Sequence, residues 1–201
     1  MQIGKSVSGS LTVVLIAVAS LVSPVAAMQS LPTAATARIS IDNFGRVNDA
    51  YFRGAQPVGA DYASLAALGI KTVINLTSDD ADAGEQLMVE RAGMTYLQIP
   101  MTTRIPPTET QLASFLNAVN DPAMQPVYVH CVGGRHRTGV MTAAYRMSHD
   151  GWDASKAFTE MKQFKFGADF LHPEFKAFVY AYKPDVIAPP ASELATITVS
   201  H

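Results

Sequence analysis

The chain holds one cysteine, Cys131, and one tryptophan, Trp152, among 201 residues. A single thiol cannot close an internal disulfide. Cys131 has no second thiol beside it and the five histidines show no ligand spacing, so no metal is expected. No cofactor is expected either. Surplus basic charge is also missing: 15 Lys and Arg against 17 Asp and Glu leave a net charge of −2. Without a broad basic surface, nucleic acid is excluded as a partner; net charge says nothing of a small positive pocket. Only one long apolar run occurs, near the N-terminus, and there is no internal repeat, so a multi-span membrane protein and a repeat array are both excluded.

That apolar run, residues 11–22, follows the lone charge Lys5 and precedes the small-residue stretch Val25-Ala26-Ala27. The order is that of a secretory signal peptide over residues 1–27. The run is too short to span a bilayer, so no stable membrane insertion is expected once it is removed. Residues 28–38, rich in Ala, Thr, Ser and Pro, read as a linker. Residues 39–183 suit one domain, and 184–201 read as a Pro- and Ser-rich tail. Export implies a periplasmic or secreted protein in an oxidising compartment. A lone thiol is an oxidation hazard there, which points to chemistry that needs it.

The thiol sits in the stretch Val127-Tyr128-Val129-His130-Cys131-Val132-Gly133-Gly134-Arg135-His136-Arg137-Thr138-Gly139. A β-branched apolar run reads as a buried strand ending at Cys131, and Thr138 to Tyr145 reads as a helix. A helix begins with unpaired N–H groups and a positive dipole end, and a loop feeding it can turn further N–H groups inward as a nest for an oxyanion. Gly133 and Gly134 permit the positive φ that such a loop needs. Arg137 can grip two anion oxygens through its planar fork. In such a field a thiol's pKa falls from ~8.5 into the range of about 3.5–7.5. A thiolate facing a bound phosphorus is a nucleophile in place.

His130-Cys131, Gly134 and Arg137-Thr138-Gly139 together resemble the HCxxGxxRTG signature of the cysteine-dependent tyrosine and dual-specificity phosphatases. The stretch from Gly134 to Gly139 is similar to the GKHRTG of a small atypical dual-specificity group that includes inositol pyrophosphate phosphatases, with Arg135 in place of Lys. The segment Tyr51-Phe52-Arg53-Gly54-Ala55-Gln56-Pro57 is similar to the opening of the bacterial members. The resemblance implies a two-step reaction through a phosphocysteine on Cys131. Val132, Gly133, Gly134, Arg135, His136 and Arg137 would hold phosphate. Thr138 would donate to the sulfur, and His130 would support the loop. Arg135 and His136, with Arg104 from a facing loop, would add positive charge to the rim.

The same resemblance calls for a proton-donating aspartate on an upstream loop, and residues 101–107 hold no acid. Glu109, just inside the next helix, is the nearest candidate. Asp79, Asp80 or Asp82 could reach in instead, although their loop reads first as solvated residues and a helix cap. A third option needs no protein acid, because a leaving group that is itself a phosphate departs with little proton help.

Strand and helix patterns alternate along the sequence, with helices expected at 61–68, 85–92, 108–120, 154–163 and 173–182 and strands at 70–76 and 95–100; Thr108 and Gln111 fit a capping box, and Asp153 an N-cap. The fold class is α/β: one domain with a central, mainly parallel sheet flanked by helices on both faces. In such sheets ligands bind beyond the carboxyl ends of the strands, where Cys131 falls. Trp152, Phe158, Met161, Phe175 and Phe178 are expected in the core, and Arg53 on the surface or in a structural role. The expected partner is a phosphorylated small molecule or phosphoprotein. Two other classes stay open: a phosphate-binding module without turnover, and a rhodanese-like sulfur transferase. The spacing of Cys131, Arg137 and Thr138 favours the phosphatase over both.

Overall fold

The computed structural model describes residues 1, 3, 4, 39–78 and 80–184. The expected signal peptide and linker, and the tail beyond residue 184, lie outside the described residues apart from those three N-terminal positions.

Short apolar runs bounded by turns become the strands β1 (Gly45–Arg46), β2 (Tyr51–Gly54), β3 (Thr72–Asn75), β4 (Thr95–Gln98) and β5 (Val127–His130). They form one sheet in the order β1-β2-β5-β3-β4. All neighbours run parallel except β1, which pairs antiparallel with β2. Every residue of β2, β3 and β5 is buried, as expected of strands covered on both faces.

The period-two alternation of the strands divides the core. Tyr51, Ile74, Val127 and Val129 face one cluster, built with the helices α3 (Glu109–Asn120), α4 (Arg137–His149), α5 (Ala154–Gln163) and α6 (Pro173–Ala181). Phe52, Val73 and Tyr128 face the other, built with α1 (Asp61–Ala67) and α2 (Glu85–Arg91). The expected α/β architecture with helices on both faces is the observed one.

Local signals set the helix ends. Gly69 and Gly93, at φ +90° and +81°, close α1 and α2. Thr108 Oγ1 accepts from Gln111 N at 3.2 Å while Gln111 Oε1 accepts from Thr108 N at 2.8 Å, completing the expected capping box of α3. Asp153 caps α5 through Lys156 N at 2.7 Å. Two elements carried no sequence signal: β1, only two residues long, and a single 3-10 turn at Asp169–Leu171. Phe158, Met161 and Phe175 are core and Phe178 packs half-buried against it, but Trp152 is not core. It lies half-buried with Arg146 and Lys156 over its ring, at 4.4 and 4.0 Å, because its indole face shelters their charged ends.

The register aligns Gly54, His130 and Asn75, the last residues of the three central strands. Cys131 is therefore the first residue beyond the middle of the sheet's carboxyl edge. Loops after β3, β4 and β5 converge there.

The Thr108→Ala variant should lose about 1 kcal/mol of unfolding free energy in urea titration, the usual cost of an N-cap, with its native circular-dichroism spectrum unchanged.

Candidate active site

The loop between β5 and α4 is held with its carbonyls outward. Val132 O accepts from Gln56 N at 3.1 Å. Gly134 O accepts from Asn43 Nδ2 at 2.8 Å and from Arg53 Nη2 at 3.0 Å. With the carbonyls engaged on the outside, the N–H groups of Arg135 and Thr138 act on the Cys131 sulfur. Gly134 has φ +63°, and a Cβ there would lie 2.3 Å from the backbone carbonyl carbon and oxygen of Gly54. No other residue fits that position. Gly133 does not share the constraint: a Cβ would meet only the Arg135 side chain, at 3.4 Å or more, and its φ is not positive. Of the two expected glycines, only Gly134 has the conformational role assigned to both.

These elements enclose a cup of about 430 Å³ lined by residues 131–133 and 135–137 with Asp80 and Thr103. Gly134 lies behind the lining. Cys131 is at the floor, 3% exposed. Burial pushes its thiol pKa up, but the Thr138 hydroxyl, the Thr138 amide, the Arg137 charge and the Arg135 amide outweigh it and hold the pKa below the ordinary range. The Thr138 hydroxyl is buried without a hydrogen-bond partner of ordinary geometry, and the group whose charge it favours is the Cys131 sulfur.

Arg137 is clamped. Its Nη1 and Nη2 donate to Asp80 Oδ1 and Oδ2 at 2.7 and 2.6 Å, and Nη1 also donates to Met101 O at 3.1 Å. Its Nε is buried with no protein partner. Burial pulls the guanidinium pKa down, but Asp80 and the Cys131 charge more than restore it. The Asp80 carboxyl is in turn held below the usual carboxylate range by its hydrogen bonds to Arg137.

The remaining expected residues divide. His130 is fully buried and does not line the cup; its Nε2 lies 2.9 Å from Glu85 Oε1 but makes no hydrogen bond. Glu109 is a correction. It borders a separate depression with Leu112, Phe178 and Tyr182, because α3 starts outside the cup. His136 lines the cup as expected, but its imidazole pKa is held below the ordinary value, which weakens the charge it brings to the rim. Burial, then the tilted His172 ring 3.8 Å away, lowers its pKa, and Nε2 bonds Phe166 O at 3.0 Å. From the facing loop, Thr103 rather than Arg104 lines the cup. Among the three loop aspartates, Asp82 accepts from Gly84 N at 2.8 Å just before α2, and Asp79 lies outside the described residues. Arg53 is fully buried, so the surface alternative for it fails. Sequence reasoning missed Asn43 and Glu85 altogether. Only the unusual φ of +56° at Asn43 marks it, and that is not visible in sequence.

The sequence model of a family described as "DSP-PTPase phosphatase fused to NAD+ Kinase" matches residues 32–174. The chain belongs to that phosphatase family. The phosphatase is 29% identical over 139 residues to the dual specificity protein phosphatase TpbA of Pseudomonas aeruginosa, covering 68% of this chain and 61% of TpbA. The TpbA crystal structure superposes with a TM-score of 0.62 over 73% of this chain and 88% of the other. Identity to the inositol diphosphatase SIW14 of Saccharomyces cerevisiae is 26% over 130 residues, 62% of this chain and 46% of SIW14. The SIW14 catalytic-core structure, at 22% identity and TM-score 0.63 over 73% of this chain and 88% of the other, shares the fold. The enzyme is thus a cysteine-dependent phosphatase.

Gly134→Ala should lower phosphate release more than about a hundredfold, the usual consequence of displacing a reacting group by an ångström, while Gly133→Ala stays near the wild-type rate. Because the Cys131 pKa is depressed, the thiolate persists as pH falls below the ordinary thiol range. Iodoacetamide alkylation against pH should show a midpoint under that range, and Thr138→Ala should raise it by roughly one unit.

Proposed function

We propose that this phosphatase works through Cys131 and favours substrates whose leaving group is itself a phosphate, as in polyphosphorylated small molecules. The carrying observation is the state of the one carboxylate in the cup. Asp80 is the only acid among the described lining residues, and it is ion-paired to Arg137 with a depressed pKa. An acid in that condition is deprotonated at neutral pH and cannot hand a proton to a departing oxygen. The leaving group must then depart as a stable anion. A phosphate, with a second pKa of about 6, does so more readily than a tyrosyl phenolate, with a pKa of about 10.

In the first step Cys131 Sγ attacks phosphorus, the P–O bond to the leaving group breaks, and the leaving oxygen keeps the electron pair. In the second, water attacks the phosphocysteine, the P–S bond breaks, and inorganic phosphate leaves with the thiolate restored. The loop amides and the free Nε edge of Arg137 hold the equatorial oxygens, most strongly where charge is most spread. Asp80 and Met101 O occupy the other side of the guanidinium and fix its orientation. Thr138 donates to sulfur as the thiolate departs. The inositol diphosphatase name of SIW14 supports this substrate class.

A phosphotyrosine substrate is the second reading. It is favoured by a TpbA structure, 27% identical and with TM-score 0.61, determined in complex with pTyr. The proposal also places the enzyme in the periplasm or outside the cell. Lys5, the apolar run at 11–22 and Val25-Ala26-Ala27 support that placement.

A phosphate-release panel decides between substrates. Inositol pyrophosphates should exceed a phosphotyrosine peptide and an alkyl monoester in kcat/KM, and Cys131→Ser should abolish release from all of them. Faster phosphotyrosine turnover would select the second reading. Glu109→Gln should leave turnover of aryl phosphate unchanged across pH.

A further inference from the structure

Arg53 stands where the fold calls for an apolar side chain. It follows Tyr51 by two residues on β2, so the strand's alternation turns both toward the face covered by α4 and α5. There Arg53 is fully buried. Phe164, just past α5, stacks on its guanidinium at 4.1 Å, and a Cβ added to Gly139 in the first turn of α4 would lie 3.8 Å from Nη2. Such a position is costly for a cation unless an anion compensates.

Among the described residues no carboxylate pairs with it. The acid that acts on it from the nearest helix, Glu160, is already engaged by Arg146 at 2.7 Å. Tyr51, beside it on β2, is neutral, since burial pushes its phenol far up. Arg53 makes one hydrogen bond, from Nη2 to Gly134 O, while Nε and Nη1 are buried without partners. The remaining anion that bears on its charge is the Cys131 thiolate, on the far side of the loop that Arg53 touches.

We propose that Arg53 is the buried counter-cation of the Cys131 thiolate and a positioning residue for the phosphate-binding loop. From behind the loop it does two things. Its hydrogen bond holds the Gly134 carbonyl outward, which keeps the neighbouring amides turned to the anion. Its charge acts with that of the Cys131 thiolate from outside the cup, whose lining holds Arg135 and Arg137 but not Arg53. The titratable and charged groups about the sulfur are Arg135, His136, Arg137 and Asp80 on the cup side, with Arg53 behind the loop; Glu160 and Arg146, from α5 and α4, act on Arg53. Asp80 pairs with Arg137, Asp42 lies 3.6 Å from Arg135, and Glu160 and Asp150 both hold Arg146, whereas no carboxylate among the described residues is in ion-pair contact with Arg53. The inference rests on Cys131 being the nucleophile.

Charge and hydrogen bonding separate in three variants of the full-length protein. Arg53→Gln keeps a donor for Gly134 O and loses the charge. Arg53→Lys keeps the charge and loses the fork. Asn43→Gly removes the neutral donor from the same carbonyl and tolerates the positive φ at that position. Alkylation by iodoacetamide reads Cys131 alone, because the sequence has one cysteine. In Arg53→Gln the midpoint of the alkylation pH profile should rise by about one unit, a tenfold loss of thiolate on the acid limb, with kcat on aryl phosphate falling at least as far. In Arg53→Lys and Asn43→Gly the midpoint should stay at the wild-type value while kcat falls. An unchanged midpoint in Arg53→Gln would overturn the proposal and leave Arg53 a packing residue. Should the Gln variant fail to fold, a raised midpoint in Arg53→Lys would overturn it equally. Undiminished phosphate release by Cys131→Ser would sink the parent reading instead, and the alkylation profiles would still report on Arg53.

Discussion

A sulfur anion held against the end of a buried strand is the constraint on which the site depends. Burial alone opposes ionisation of Cys131. What reverses it is directional: two amides, one hydroxyl and the Arg137 charge converge on one atom. That convergence requires the loop carbonyls to point away, and donors from the opening segment of the domain meet them there. Asn43, Arg53 and Gln56 are distant from Cys131 in sequence, yet they bond the outside of its loop. The N-terminal strands therefore serve the chemistry as a brace as well as completing the sheet.

The fold supplies the precision. Three parallel strands end in register at Gly54, Asn75 and His130, and Asn75 Nδ2 donates to the buried Glu85 carboxylate, tying β3 to α2. On the other side Gly139 admits Met161, a Cβ there lying 3.3 Å from its Cε, so α4 can lie close to α5. The close approach of Gly134 to the Gly54 backbone leaves no room for the loop to drift. Close-packed interiors move in discrete rather than graded steps, and a cup built in this way is ready for its anion before the anion arrives.

Contiguous features were legible in the sequence. The strand, thiol, glycine, arginine and helix lie within thirteen residues, so local chemistry and spacing were enough to place Cys131, Arg137 and Thr138 together. The α3 capping box and the Asp153 cap are likewise local and were found where expected. Contacts that close across the fold were not legible. Asp80 meets Arg137 from 57 residues away, and nothing in an acidic loop distinguishes the residue that turns inward. Glu109 was chosen for its nearness in sequence to an acid-free loop, but α3 begins on another side of the domain. An arginine in a strand pattern reads as exposed, and only the packed core shows Arg53 to be enclosed. His136 reads as a charge until its burial and its contact with the His172 ring are seen.

The most direct test of a nucleophilic Cys131 is rapid acid quench of a single turnover, followed by mass spectrometry of the peptide that carries residue 131. Expected is a phosphate adduct on Cys131 that forms and decays at rates matching product release, and that is absent in Cys131→Ser. Turnover with no adduct on that peptide, or with the adduct on another side chain, would contradict the assignment.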